Sequence, residues 1–126
     1  MANEIAYAIQ MRLANVVSGL SDTYSASGLK ADQAVALLVR NVQTISTGAG
    51  GDVLDLGSVV TPGMAVFVNL DAANYVEVGI QLTGTFYPFL KLNFGEQAGP
   101  MRLGVAAPYA RANTLAVKLF YIVYNN

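Results

Sequence analysis

Residues 74–82 read NYVEVGIQL, and this stretch decides the fold class. Val76, Val78, Ile80 and Leu82 alternate with polar or small residues, so apolar side chains fall on one side of an extended chain. A period of two that is rich in β-branched residues predicts a strand with one face in a core. The stretch therefore indicates a β-sheet protein.

Similar patterns continue on both sides of this strand. Residues 64–70 and 74–82 flank a short polar connection, which is typical of a β-hairpin. Residues 86–92 predict another strand, and Pro88 places it at a sheet edge because proline cannot donate a ladder hydrogen bond. Residues 114–124 are apolar on both faces, which indicates a strand that is central to the domain or pressed against a neighbour.

The amino-terminal region is less uniform. Residues 5–13 have apolar odd positions and predict a half-buried strand. Residues 15–28 are rich in turn-forming side chains and should reverse the chain once or twice. Residues 33–47 fit both a strand and an amphipathic helix, and the β-branched side chains of their second half favour the strand.

These patterns add up to about eight or nine short antiparallel strands. The remaining segments predict short strands over 53–59 and 101–105, turns over 93–100 and a loop over 106–113. We therefore predict an all-β, single-domain β-sandwich over residues 1–126, with a jelly roll as one form of it. Residues 1–20 could instead be an extended strand or arm that contacts neighbouring subunits.

The composition indicates a protein that packs against other protein. Apolar residues make up 54% of the 126 residues and charged residues only 12%, about half the usual ~25%. The seven basic residues are scattered and the net charge is −1, which disfavours nucleic-acid binding. No apolar run reaches the ~20 residues of a membrane helix. The amino terminus does not resemble a signal peptide, so we expect assembly in the cytoplasm.

The residue types argue against catalysis. The chain has no His and no Cys, which excludes His-based acid–base chemistry and thiolate sites. Asp52 and Asp55 would point to opposite faces of an extended chain, so they make a poor catalytic pair. We predict no enzyme activity, no catalytic residue, no cofactor and no metal.

Three other features have simpler explanations than a ligand site. The oxygen-rich residues Asn69, Asp71 and Asn74 are explained as Asx residues of a turn, since an EF-hand needs more acidic ligands. Glycines at 48–51 are explained as a loop tip, because no Gly-Lys-Ser/Thr motif follows them. A group of aromatic residues could form a platform for a sugar, but aromatic residues are also common in protein cores and protein interfaces. The aromatics concerned are Tyr75, Tyr87, Phe89, Phe94 and Tyr109.

Several runs resemble small proteins encoded among the head genes of tailed bacteriophages. Residues 54–59 (LDLGSV), 61–63 (TPG) and 69–79 (NLDAANYVEVG) carry the resemblance in the middle of the chain. It continues through residues 89–103 to 116–121 (AVKLFY). These motifs are turn and core signatures rather than catalytic ones.

The resemblance implies a virion structural protein, similar to the cement or decoration proteins that clamp major capsid subunits on the capsid exterior. Such proteins are commonly homotrimers, so the implied partners are the major capsid protein and further copies of this chain. A neck, tail or head-fibre protein and a virion-displayed carbohydrate-binding module remain as alternatives. The residues that we assign to the oligomer or capsid interface are Tyr7, Ile9, Met11, Arg12, Phe120, Ile122 and Tyr124.

Overall fold

The computed structural model of the chain describes residues 5–14 and 17–126. These residues form ten strands and no helix, which confirms the predicted all-β class. No helix that could cross a membrane is found among them. The strands are β1 (Ile5–Ala14), β2 (Ser21–Ala31), β3 (Leu38–Ile45), β4 (Asp52–Val53), β5 (Pro62–Asn69), β6 (Val76–Leu82), β7 (Thr85–Leu92), β8 (Gln97–Arg102), β9 (Tyr109–Ala112) and β10 (Val117–Asn125).

The contacts within the chain divide it into two compact units, Met1–Ala34 and Val35–Asn126. The first unit extends beyond residue 20, the predicted end of an arm, because β2 pairs antiparallel with β1. The organisation of residues 1–126 as a single domain stays a prediction.

The first unit is a β-hairpin with one irregularity in its ladder. Ser27 and Gly28 of β2 together stand opposite Ala8 of β1. Gly28 has a φ of 68°, a left-handed conformation that glycine adopts without the steric penalty of a side chain. This bulge absorbs one extra residue, so the strand alternation continues on both sides of it.

Two sequence predictions for this region are wrong. The chain reverses between β1 and β2 as predicted, but residues 21–28 belong to strand β2 rather than to turns, because their polar side chains lie along a hairpin that pairs through its backbone. β1 is a strand as predicted, but its odd positions are not half-buried throughout. Ile5 is buried, whereas Ile9, Met11 and Leu13 are exposed.

The second unit is a sandwich of two four-stranded sheets. The first sheet has the order β3-β10-β5-β8 and the second has the order β4-β9-β6-β7, with all neighbours antiparallel. The eight strands pair in a nested order, with β3 next to β10, β4 next to β9, β5 next to β8 and β6 next to β7. In addition, β10 pairs with β5 and β9 pairs with β6, which joins these pairs into two sheets. This arrangement confirms the predicted sandwich and its jelly-roll form.

The core lies between the two sheets and follows the alternation of the strands. Along β10, every second side chain is buried, and β6 supplies buried valines from the opposite sheet. Tyr121 of β10 is also buried, and its hydroxyl donates to the Asp55 carbonyl oxygen at 2.6 Å and accepts from Asn41 Nδ2 at 3.1 Å. Burial raises the pKa of Tyr121 above its usual value. The neutral phenol therefore links the loop at Asp55 and strand β3 to the core.

The connection between β5 and β6 crosses from the first sheet to the second, so the predicted hairpin is wrong. Asn69 ends β5 fully buried, and its Nδ2 donates to the carbonyl oxygens of Asn74 at 2.9 Å and Leu92 at 3.1 Å. Asp71 Oδ2 accepts the backbone N–H groups of Asn74 at 2.6 Å and Ala73 at 2.9 Å, which lowers the pKa of Asp71. The Asx turn is present as expected, but it turns the chain between sheets.

The remaining strand predictions have mixed outcomes. β7 contains Pro88 and lies at a sheet edge, as predicted. Residues 38–45 form a strand rather than a helix, as preferred. The predicted loop 106–113 is wrong because it contains β9, which lies between β4 and β6. β8 begins at residue 97, inside the predicted turn.

Candidate protein-interaction surfaces

The hairpin has one apolar face, because residues directly opposite each other on antiparallel strands project to the same side. Tyr7, Ile9 and Met11 stand opposite apolar residues of β2. The hairpin face, as we name it, consists of Tyr7, Ile9, Met11, Leu13, Tyr24, Ala26 and Leu29. Met11 is 67% exposed and Tyr24 is 55% exposed. An exposed apolar patch of this kind is typical of a surface that meets another protein.

The opposite side of the hairpin is polar. Gln10 stands opposite Ser25, and Arg12 stands opposite Thr23. The structure therefore brings three predicted interface residues together on the hairpin face and places Arg12 on the other side. The hairpin is amphipathic, with its apolar side chains segregated by the period of two.

The first sheet of the sandwich has a second exposed apolar surface, on the side away from the core. Val117, Leu119, Tyr121 and Val123 of β10 are buried in the core, so the even positions of β10 project outward. We name as the outer apolar face the apolar residues at these even positions together with their apolar cross-strand neighbours on β3 and β5. These residues are Leu38, Val42, Val66, Val68, Phe120, Ile122 and Tyr124. It includes the three interface residues predicted at the carboxy-terminal strand.

The exposure of this face is highest on β3 at the sheet edge. Leu38 is 57% exposed and Val42 is 50% exposed, whereas the outward residues of central β10 are half-buried. A sandwich sheet whose outer side faces solvent usually alternates apolar and polar residues along each strand. Here the outward residues of β5 and β10 are apolar except Lys118, whereas β3 alternates Leu38 and Val42 with the polar Arg40 and Thr44. Apolar residues on the outer side of a sheet are typical of a surface that contacts another protein.

The charged residues on the four strands of the first sheet are all basic. Arg40, Lys118 and Arg102 project outward on β3, β10 and β8, and the Arg40 guanidinium lies 5.8 Å from the centre of the Phe120 ring. The sequences of β3, β5, β8 and β10 contain no Asp or Glu. The face therefore favours a partner that combines apolar side chains with carboxylates.

The second sheet carries a cleft of about 300 Å³ on the unit that comprises residues 35–126. Its Arg111 Nη2 contacts Glu77 Oε1 at 3.0 Å, and the Arg111 guanidinium lies 4.8 Å from the centre of the Phe86 ring. Lys91 Nζ lies 4.1 Å from the centre of the Tyr75 ring. The lining residues are Thr47, Ala49, Tyr75, Glu77, Arg111, Ala112 and Asn113. The cleft combines one aromatic ring with hydrogen-bonding groups, a combination that suits a polar ligand such as a sugar.

The loop at residues 48–51 forms one wall of this cleft. Gly51 has a φ of 74°, and a Cβ there would meet the Phe86 ring at 2.9 Å. The carbonyl oxygen of Gly50 accepts from Gln81 Nε2 at 2.7 Å. Glycine at positions 50 and 51 lets the loop backbone pack closely against Gln81 and Phe86, so these glycines have a structural role in addition to forming a loop tip.

The other candidate residues are not gathered at one place. Of the five aromatics in the sugar-platform hypothesis, Tyr75 lines the cleft, whereas Tyr87 and Phe89 lie on the edge strand β7. Asp52 accepts from the backbone N–H of Ser46 at 2.7 Å, and Asp55 accepts from the N–H of Gly57 at 2.9 Å. Each carboxylate therefore accepts hydrogen bonds from backbone N–H groups near it in the chain.

No protein-family model matches the chain, and comparison with curated proteins and with solved structures returns no similar protein. The fold and the surfaces therefore carry the functional argument. They define an all-β jelly-roll protein with an amphipathic hairpin and an apolar outer sheet face.

Sequence reasoning missed several members of both surfaces. Tyr24 lies in a run of Ser, Thr and Gly residues that was interpreted as turns, so its strand period was not visible. Val42 lies in the segment whose helix and strand spacings overlap. Val66 and Val68 alternate with buried residues in β5, and only the pairing of β5 with β10 shows that they join the same face as Phe120.

Proposed function

We propose that this protein is a non-catalytic virion structural protein of the capsid cement type, which binds the major capsid protein and its own copies. The observation that carries the proposal is the presence of two exposed apolar surfaces, the hairpin face and the outer apolar face, in one small chain. Capsid as the partner is supported by the resemblance of residues 54–79 and 89–121 to phage head-region proteins. A place on the capsid exterior follows from that role.

The mechanism is the burial of apolar area across subunit boundaries. At ~25 cal/mol per Å², a few hundred Å² of buried apolar surface supplies several kcal/mol before the costs of association. A capsid presents many equivalent positions, so modest contacts act together through multivalency. Binding at subunit boundaries would stabilise the head without any chemical step.

A matched pair of valines tests the proposal. Val42 on the outer apolar face is 50% exposed and Val53 on β4 of the other sheet is 51% exposed. We expect Val42→Asp to lower the amount of protein on purified particles at least about tenfold, since a buried charge without a partner costs several kcal/mol. Val53→Asp should leave occupancy nearly unchanged.

Occupancy can be measured by quantitative mass spectrometry of purified particles, and a cryo-EM map of the same particles would show location and copy number. Density between capsid subunits is the expected result. Density confined to the tail or neck, or equal occupancy of the two variants, would contradict the cement proposal.

The cleft on the second sheet favours carbohydrate binding as a second candidate function. Tyr75 supplies an aromatic ring, and Glu77 and Arg111 supply hydrogen-bonding groups at the same cleft. A glycan array should then show saturable binding that Tyr75→Ala abolishes. Phe94→Ala, an aromatic substitution at an exposed turn outside the cleft lining, is the control. An array without any signal, or equal binding by both variants, would remove this candidate.

A further inference from the structure

We infer that the hairpin face of one copy packs on the outer apolar face of a second copy, so that the protein assembles by exchanging hairpins. This inference rests on the proposed role of the two surfaces in protein binding, and it names which surfaces meet. The partner is another copy of this chain.

The first argument is the stability of the hairpin. An isolated two-stranded hairpin is only marginally stable in water, and it needs a further packed layer. The hairpin has a largely apolar side for such a layer, with Ile9, Met11 and Leu13 exposed on β1 and Tyr24 exposed on β2. A second sheet at ~10 Å is the layer that β-structure ordinarily provides.

The second argument is the match between the two surfaces. Both are sheet faces whose apolar side chains come from neighbouring antiparallel strands. Asp22 stands opposite Leu13 and is therefore the charged residue on the apolar side of the hairpin. The outer apolar face offers Arg40 and Lys118 and has no carboxylate in its strands, while Arg102 of β8 donates to Asn126 Oδ1 at 2.6 Å. Apolar area and charge sign are thus complementary.

The third argument concerns area. β1 has 10 residues, so the hairpin face is roughly 33 Å long and 10 Å wide at ~3.3 Å per residue and ~4.8 Å per strand. This strip of ~330 Å² is smaller than the ~800 Å² per partner of a standard stable interface. A copy that gives a hairpin and also receives one buries roughly twice this area, ~660 Å², in two contacts. Head-to-tail contacts form a ring where the rotation between copies closes and an open filament where it does not, and the predicted homotrimer is one such ring.

Cross-linking of the purified full-length chain tests which surfaces meet. The chain has no cysteine, so a cysteine introduced at a chosen position is the single thiol of that variant. We would mix Met11→Cys protein with Val42→Cys protein and treat the mixture with a bismaleimide that spans ~10 Å, the distance between packed sheets. Because each chain carries one thiol, a product that contains both variants can form only between copies.

The expected result is a cross-linked dimer on a denaturing gel that forms in the mixture and not when either variant is treated alone. Replacing Met11→Cys with Gln10→Cys, on the polar side of the same strand, should abolish it. Replacing Val42→Cys with Val53→Cys, on the other sheet, should abolish it as well. Absence of the mixed product would overturn the inference. So would Met11→Cys cross-linking only to itself, which would indicate hairpin packing on hairpin.

The same contact predicts a change in oligomeric state. Met11→Lys should raise the dissociation constant of the assembly about a hundredfold, because it places a charge in a buried apolar contact opposite the basic residues Arg40 and Lys118. Gln10→Lys, one residue away and on the polar side, should leave it unchanged. Light scattering after size exclusion measures both, and circular dichroism shows whether each variant is folded. Equal assembly by the two folded variants would also overturn the inference.

These experiments use purified protein without particles, so they separate two failures. If the variants cross-link as expected but the protein is missing from virions, the assembly mode stands and the cement function fails. If the protein occupies capsids but the copies do not cross-link, the cement function stands and the hairpin exchange fails.

Discussion

Phe67→Ala is expected to lower the free energy of unfolding by ~3–5 kcal/mol, the usual cost of removing a buried aromatic ring. Phe67 is fully buried on β5, opposite Tyr121 of β10 and Ala98 of β8. The ring therefore packs at the centre of the first sheet's inner side. Its loss leaves a cavity that three hydrogen-bonded strands are poorly able to close.

The control for this prediction is Phe89→Ala. Phe89 is 51% exposed on the edge strand β7, so its loss should cost only a small fraction of the effect at position 67. Urea unfolding followed by circular dichroism measures both variants, since the chain has no Trp for fluorescence. Equal destabilisation by the two substitutions would show that the core is not where the structure places it.

Asn69→Leu is expected to lower the free energy of unfolding by ~3 kcal/mol or more, although it conserves size and adds apolar surface. Asn69 Nδ2 has two N–H groups and lies within hydrogen-bond distance of three carbonyl oxygens, those of Asn74 at 2.9 Å, Leu92 at 3.1 Å and Asn93 at 3.1 Å, so one N–H is shared between two acceptors. Its Oδ1 accepts the N–H of Asp71 at 2.9 Å. Leucine replaces none of these bonds, and each buried polar group without a partner costs ~1–3 kcal/mol.

The control is the same substitution at an exposed asparagine, where no buried hydrogen bond is lost. Asn113→Leu should change stability by no more than ~0.5 kcal/mol, as surface substitutions usually do. Asn113 is exposed, and its side chain donates to Thr114 Oγ1 at 2.8 Å. Thermal unfolding of both variants under the same conditions provides the comparison. A stable Asn69→Leu protein would mean that the crossing between the sheets does not depend on this side chain.

The sequence predicts the turn that contains Asn69 but not the burial and long-range hydrogen bonds of this side chain. The sequence identified Asn69, Asp71 and Asn74 as an Asx-rich turn rather than a metal loop, and the hydrogen bonds of Asp71 agree with a turn. It did not indicate that Asn69 would be fully buried and would bond to residues 23 and 24 positions away. Such contacts join segments that are distant in sequence, so no local pattern reports them.

Some of the predicted interface residues could likewise be assigned to a face from the sequence, whereas the neighbours of others could not. Tyr7, Ile9 and Met11 could be assigned to one face because a strand has a period of two. Arg12 falls on the opposite face by the same period, so its inclusion did not follow the pattern. The partners of Phe120 and Ile122 on β3 and β5 depend on the register of the first sheet, and cross-strand register is a tertiary property.

The sequence by itself determined that the chain is all-β, that strands fall within residues 74–82 and 114–124 and that Pro88 lies on an edge strand. These properties depend on the side chains within one strand, whose alternation and ring chemistry act locally. The tertiary structure alone decided that residues 69–76 cross between sheets, that β9 is a strand and that β2 completes an amphipathic hairpin. Each of these depends on which strands pair, and pairing is decided by backbone hydrogen bonds and core closure between distant segments.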